Sequence, residues 1–325
     1  MFSQTVEKIK KYGLLCAIHT VLEKLGISKV KYSDLYMQRY FLKLPENKRE
    51  EELGLWYRSE TGKPLNLEAP QSLNEKIQWL KLYDATPLKT RLADKYLVRD
   101  WVKEKIGEEY LTPLLGVWDS FDEIDFGKLP EQYVLKGVHG SGMNIVVRKD
   151  QPINMKDAKK KCDFWMRSSY GTGPMQEWHY RDIPHRIIAE QYMENLDGDL
   201  YDYKFHCFNG VPKYCQVIKG RNADTQMVFY HLDWRDAGFY NTYCEKMKDP
   251  VEKPKQLDKA IELATVLAEG FSYVRVDLYL VGDEDIYFGE MTFTPASGTC
   301  HWVPEGTDEM LGALIELPKE KYRTR

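Results

Sequence analysis

Arg275-Val-Asp-Leu-Tyr279 and, one turn later, Glu290-Met-Thr-Phe-Thr-Pro-Ala-Ser-Gly298 decide how this chain is read. In an extended strand, residues two apart share a face. Arg275 and Asp277 therefore face one side, and Val274, Val276 and Leu278 the other. Ile286-Tyr-Phe-Gly-Glu-Met-Thr-Phe293 reads as the neighbouring strand across Gly282-Asp-Glu-Asp285, with Glu290 and Thr292 on one face. Two carboxylates on adjacent strands form a hard oxygen site that suits Mg²⁺ bridging nucleotide phosphates. A solvated polar face with an Arg–Asp pair is the alternative. Thr294-Pro-Ala-Ser-Gly298 is a loop of small residues, able to approach a substrate closely.

Working towards the N-terminus, residues 255–270 read as an amphipathic helix. Leu200 to Phe208 and Val211 to Val217 are two runs around Asn209-Gly210, a strong hairpin signal. Asp202, Lys204 and His206 share the outer face of the first run. Arg186-Ile-Ile-Ala-Glu-Gln-Tyr-Met193 is another strand. Its Glu190 stands either against a ribose hydroxyl or at a strand end in water. Residues 153–183 look helical and polar. Gln132-Tyr-Val-Leu-Lys-Gly-Val138 and Asn144-Ile-Val-Val-Arg148 form a hairpin joined by His139-Gly-Ser-Gly-Met143. Lys136 ahead of that loop places a cation beside backbone N–H groups that can close over phosphate oxygens. No Gly-Lys-Ser/Thr ends the loop, so it is not a Walker A sequence, and a plain glycine-rich turn is the competing reading.

Residues 31–110 are helical in character. Ser72-Leu-Asn-Glu75 has the spacing of a capping box, and a second helix is expected from Pro87 to Lys105, ending near Gly107. Residues 1–30 carry Val6, Ile9, Leu14, Ala17, Ile18, Val21, Leu22 and Leu25 at helical spacing, interrupted by Gly13, with Gly26 as a stop. Such a stretch packs on the body or a partner, or lies on a membrane surface. Antiparallel hairpins mixed with helices give an α+β chain.

Composition sets the bounds. The chain has 325 residues, 43% hydrophobic and 30% charged, with a formal net charge of −4. Nothing in that balance points to nucleic acid. None of the six cysteines forms a CxxC pair, which argues against a zinc site, and no secretory signal is recognisable. A reducing cytoplasmic setting is the expectation. No apolar run reaches the roughly 18 residues of a membrane span.

In this order, the pieces resemble an ATP-grasp enzyme over roughly residues 90–305: Asp94-Lys95, Lys136 before the glycine-rich loop, Ala189-Glu190, Arg275-x-Asp277, then Glu290-x-Thr292 and its loop. The last stretch is similar to the end of the D-alanine–D-alanine ligases. The finer resemblance is to the TupA-like ATP-grasp family of bacterial surface-polysaccharide clusters. It is carried by Leu73-Asn-Glu-Lys-Ile-Gln-Trp-Leu-Lys81, Ala93-Asp-Lys-Tyr96, Leu135-Lys-Gly-Val-His-Gly-Ser-Gly142, Asp202-Tyr-Lys-Phe-His-Cys-Phe-Asn-Gly210 and Arg275-Val-Asp-Leu-Tyr279.

The resemblance implies an ATP-grasp fold of two antiparallel-sheet lobes gripping ATP. Residues 1–90 would form an N-terminal helical region, 91–188 the lid lobe and 189–325 the C-terminal lobe. Lys95 and Lys136 would contact phosphates, and His139, Gly140, Ser141, Gly142 and Met143 would fold over them. Glu190, Gln191, Tyr192 and Met193 would border adenine and ribose, with Lys204 a further ATP contact. Asp277 and Glu290 would bind Mg²⁺, Thr292 stands where asparagine is usual, and Arg275 would stabilise the transferred phosphate. Arg221, Ser297 and Thr299 are positioned to hold a substrate carboxylate. The implied activity is Mg-ATP-dependent amide formation through an acyl phosphate, joining an amine or amino acid to a uronic-acid-type carboxylate. The N-terminus would bring the chain to the inner membrane face. A kinase or a glycosyltransferase acting on a surface-polysaccharide precursor, and a non-catalytic nucleotide-binding module, are the rivals.

Overall fold

The computed structural model describes residues 8–28, 31–193, 201–220 and 225–323. Helices come first: α1 (Leu14–Lys24), α2 (Tyr32–Leu42), α3 (Glu46–Thr61), α4 (Leu73–Tyr83), α5 (Pro87–Ala93) and α6 (Val98–Lys105). Then follow β1 (Leu114–Trp118), β2 (Tyr133–Gly137), β3 (Asn144–Val147), α7 (Met155–Trp165) and β4 (Ile187–Gln191). The rest comprises β5 (Asp202–Phe208), β6 (Val211–Lys219), β7 (Gln226–His231), β8 (Tyr240–Asn241), β9 (Glu245–Lys246), α8 (Leu257–Ala268), β10 (Tyr273–Val281), β11 (Asp285–Thr292), β12 (Trp302–Val303) and α9 (Thr307–Gly312).

Among the described residues the strands form a four-stranded sheet, β1-β4-β2-β3, a six-stranded sheet, β11-β10-β5-β6-β7-β9, and a small β12-β8 pair. Pairing is antiparallel except between β7 and β9. The smaller sheet includes β4, so it runs across the boundary expected at 188/189.

The six-stranded sheet buries both faces and keeps side-chain alternation, with register shifts at Asp277/Leu278 and His206/Cys207. Val274, Val276, Leu278, Phe205, Cys207 and Val217 are buried on one side, in a single core with Leu257, Ala260, Leu263, Ala264 and Leu267 of α8. Those α8 positions recur at intervals of three and four, the stripe a helix needs to lie on a sheet. Each fully buried leucine there contributes roughly 1.5–3 kcal/mol. On the other side, Phe208, Phe229 and Tyr273 pack against Leu73, Ile77 and Leu80 of α4. The sequence between Leu73 and Tyr83 therefore belongs to the core of the larger sheet. Its start is set by the capping box: Ser72 accepts from the Glu75 N–H, and Glu75 accepts from the Ser72 N–H. The β5–β6 turn uses Asn209 and Gly210, both at positive φ (50° and 80°).

Two expected helices differ. The single helix over Pro87 to Lys105 is two, broken at Asp94 and Lys95. Asp94 is extended, and its buried carboxylate accepts from the N–H groups of Tyr96 (2.7 Å) and Leu97 (3.1 Å), starting the next helix afresh. The break turns Lys95 inward. Residues 153–183 are helical only over α7 and a 3₁₀ turn at Trp178–Tyr180. Gly171 there has φ 78° and a Cβ would meet the Glu177 carbonyl at 2.5 Å, so the segment folds as a tight irregular loop.

At the N-terminus, Gly13 (φ 90°) interrupts the helical run as expected, and α1 buries Cys16 and Ala17. No helix of the described residues is long and apolar enough to cross a membrane.

Candidate active site

The two sheets face each other across a cleft of about 410 Å³. From the smaller sheet and the breaks beside it come Lys95, Lys136, Ser141, Gly142, Met143, Glu190, Gln191, Tyr192 and Met193; from the larger, Lys204, Asp277 and Glu290. All twelve were singled out in the sequence. Thr112, Val134, Asn144, Val146, Asp202, Tyr279 and Gly289 also line it.

Each charge is placed by strand geometry. On β2, Tyr133, Leu135 and Gly137 are buried, which leaves Val134 and Lys136 for the cleft. Lys136 donates to Glu190, the residue paired with Val134 on β4. Burial works against the Lys136 ammonium, but Glu190 outweighs it and raises the pKa. Lys95 Nζ donates to the Gly140 carbonyl at 2.7 Å and lies 3.8 Å from Glu290 Oε2. It thereby ties the glycine-rich loop to the carboxylate face. Burial lowers its pKa despite Glu290.

On β10 and β11, Asp277 is paired with Glu290 and Arg275 with Thr292. A bulge at Gly289 lets this pairing shift, and a Cβ on that glycine would lie 3.0 Å from the Asp277 carbonyl. Arg275 Nε and Nη2 donate to the two Asp277 oxygens at 2.7 and 2.8 Å. Nη2 also reaches Glu290 Oε1 (3.3 Å) and Thr292 Oγ1 (3.1 Å), and Thr292 donates to Glu290 at 3.0 Å. Lys204, opposite Asp277 on β5, donates to its second oxygen. Burial acts to raise the Glu290 pKa, but Lys95, Lys204 and Arg275 reverse this and bring it to about 2. Its side chain is 36% exposed, so an ionised carboxylate faces the cleft. Asp277, Glu290 and Thr292 thus present hard oxygen donors of the chemistry that suits Mg²⁺. Among the described residues no group of three or more His, Cys, Asp or Glu is placed to hold a metal ion together, so these two carboxylates and one hydroxyl are the donor set.

Other expected residues fall elsewhere. His139 is fully buried, bonded to the Trp165 carbonyl at 2.8 Å and stacked on His185, so its ring holds the loop from behind rather than facing the cleft. Gly140 contributes its carbonyl, and a Cβ there would meet Tyr170 Cγ at 2.7 Å. Arg221 lies outside the described residues. Ser297 and Thr299 line no part of the cleft; the Thr299 hydroxyl is spent on the Ala296 carbonyl (3.0 Å). Their loop is nevertheless unusual. Ala296 and Ser297 both take left-handed backbone (φ 49° and 51°), costly for non-glycine residues. Gln78 of α4 bonds the Ser297 and Gly298 carbonyls at 2.9 and 2.7 Å, and buried Lys81 bonds Ser297 at 3.1 Å. These long-range bonds fix the strained conformation.

Arg99 was missed in the sequence. Its Nη1 bonds Glu190 Oε1 at 3.2 Å and its Nη2 the Thr112 carbonyl at 2.9 Å. An arginine in a short, charged helix reads as surface, and nothing local signals a partner on β4.

Arg275 and Thr292 do not line the cleft themselves; they stand behind Asp277 and Glu290, which do. Arg275 borders a second cavity of about 220 Å³ on the same sheet face, between α4 and the loop after β11. It therefore stands in the wall between cleft and cavity.

Two largely antiparallel sheets facing each other across a cleft lined with charged side chains are the architecture of an ATP-grasp fold. The match to a family model described as TupA-like ATPgrasp, over residues 75–316, places the chain in that family. No curated protein matches the sequence. Solved structures similar to it include D-alanine–D-alanine ligase from Bacillus anthracis complexed with ATP (16% identity, TM-score 0.37, covering 62% of this chain and 55% of that one). N5-carboxyaminoimidazole synthetase from Staphylococcus aureus complexed with ADP follows at 10% identity and TM-score 0.36, covering 72% and 54%. L-amino acid ligase from Bacillus licheniformis is 16% identical, TM-score 0.35, covering 64% and 42%. The chain thus spans 42–55% of the length of these three.

Proposed function

We propose that the chain is an ATP-dependent carboxylate–amine ligase. The observation that carries this reading is Asp277 and Glu290 facing Lys95 and Lys136 across one cleft, with Arg275 bonded to both carboxylates and to Thr292 from behind. A carboxylate does not condense with an amine in water, because oxide is a very poor leaving group. Transfer of the γ-phosphoryl group turns that oxygen into part of a phosphate. Lys95, Lys136 and Arg275 neutralise the charge that moves, and the Ser141–Gly142 loop closes over the phosphates. Glu190, held by Lys136 and Arg99, borders the nucleoside, with Gln191 to Met193 along the adenine and Lys204 a further contact. Mg²⁺, held by Asp277 and Glu290 with Thr292 beside them, would supply charge neutralisation and alignment of the phosphates. Closure of the lobes keeps water from the acyl phosphate.

Family resemblance supports a sugar carboxylate of the uronic-acid type as the acid and a cell-surface polymer as its destination. It also supports a place at the inner membrane face, to which the exposed Leu14, Leu15, Ile18, Val21 and Leu25 lend an apolar surface. The test is phosphate release from ATP with uronic acids paired against amines. Amine-dependent ADP and phosphate supports the ligase; ADP with a stable phosphorylated product supports a kinase instead.

A further inference from the structure

The mechanism above needs an amine that arrives unprotonated, and the cleft holds no obvious base to make it so. The second cavity supplies a different solution. Its wall runs from Arg275 along the sheet face through His206, Ile218 and Met227, then over Leu73 and Ile77 of α4 to Trp302.

Its polar groups largely satisfy one another. The Tyr273 hydroxyl and His206 Nδ1 are 2.8 Å apart, and His206 Nε2 and Gln216 Oε1 are 3.2 Å apart. Asn74 is bonded to the backbone of Cys300 and to Asp308. Among the described residues no Asp, Glu or Lys lines the cavity, and Arg275 is its one permanent charge. The titratable groups of the wall stay neutral at physiological pH. Burial lowers His206 to about 3, raises the Tyr243 and Tyr273 phenols and the Cys244 thiol, and pushes Cys300 up to about 12.

Such a wall rejects an ammonium ion. Desolvation disfavours the protonated amine. The carboxylates behind the wall are already engaged, Asp277 and Glu290 by Arg275 and Asp308 by Asn74, so none of them lines the cavity to repay that cost. A neutral amine loses little on entry, and an apolar body gains from burial. Size is informative too. A cavity of about 150 Å³ holds one benzene ring, so about 220 Å³ takes a ring or branched chain with a short arm.

We propose that this cavity is the acceptor site, and that it takes a small primary amine with an apolar body in its uncharged form, presenting the nitrogen at the Arg275 wall. The proposal rests on the ligase reading of the neighbouring cleft. The amine lone pair forms the C–N bond to the acyl carbon. The C–O bond to phosphate breaks with its electron pair on the phosphate, and the proton from nitrogen leaves with it as hydrogen phosphate. Activation of the nucleophile is then done by the cavity's composition and not by a general base.

The test is calorimetric titration of the full chain with phenethylamine and ethanolamine, in the presence of Mg-ADP, between pH 7 and 9.5, with ADP binding measured on the same protein. Phenethylamine is expected to bind at least tenfold more tightly than ethanolamine. Its apparent affinity should rise about tenfold per pH unit until the pH reaches the amine's own pKa, because only the neutral form enters. Ile218→Phe, which narrows the cavity, should cost phenethylamine at least tenfold; Tyr243→Ala, which opens its exposed edge, is the second variant should the first not fold. ADP binding with equal amine affinities, or with phenethylamine affinity independent of pH, overturns the acceptor site and leaves the ligase reading standing. Loss of ADP binding as well overturns both.

Discussion

Asp277 and Glu290 sit directly opposite each other on β10 and β11, and one guanidinium, Arg275, bonds both. Their surroundings differ. Asp277 is buried and receives Arg275 and Lys204, whereas Glu290 is 36% exposed. Asp277→Asn and Glu290→Gln should each reduce Mg-ATP turnover at least a hundredfold. Asp277→Asn should also cost stability, about 3 kcal/mol, since it leaves two buried cations under-compensated. Glu290→Gln should leave the melting temperature nearly unchanged. Steady-state phosphate release and thermal unfolding on the same preparations check both halves.

Lys136 and Arg99 converge on Glu190 from β2 and α6. Lys136→Ala removes a cleft cation but leaves Glu190 paired with Arg99. Nucleotide affinity should fall about tenfold, the loss of about 1.4 kcal/mol, with little change in stability. Unchanged ADP affinity by calorimetry would remove Lys136 from the nucleotide site.

Gly140 has no room for a methyl group against Tyr170, and its carbonyl is the Lys95 acceptor. Gly140→Ala should displace the loop and with it Lys95. The expected signature is a raised KM for ATP of at least tenfold with the global fold retained by circular dichroism.

Burial holds His139, His179 and His206 neutral, with pKa values lowered to about 4, 3 and 3. In the unfolded chain each protonates near pH 6.5. Below that pH the unfolded state binds more protons, so stability falls as pH drops from about 6.5 towards 4. Each histidine contributes about 1.4 kcal/mol per pH unit once well below 6.5. Urea denaturation at pH 7 and pH 5 checks this; equal midpoints would show that the rings titrate normally in the fold.

Much of the cleft was legible because strand alternation and turn chemistry are local. Val274 to Leu278 announced which side Arg275 and Asp277 take, and Asn209-Gly210 announced the β5–β6 hairpin that carries Lys204; the β5–β10 pairing that sets Lys204 opposite Asp277 is long-range. The break at Asp94 was not legible. Pro87 to Lys105 has acceptable helix periodicity throughout, and the burial that makes Asp94 cap the next helix is tertiary. Arg99, Gln78 and Lys81 escaped for the same reason: their partners, Glu190 and the carbonyls after β11, lie far away in sequence. The second cavity is assembled from α4, β5 to β8, the residues after β8, β10, the loop before β12 and β12 itself, and no one of those segments advertises it.

The position of Arg275 in a shared partition has a thermodynamic consequence. A ligand in either chamber that shifts this guanidinium, directly or through Asp277 and Glu290, changes affinity in the other, and by the same factor in both directions. A substitution at Arg275 examined with one ligand alone would be misattributed to that ligand's own contacts. Only a double titration separates lost grip from lost communication.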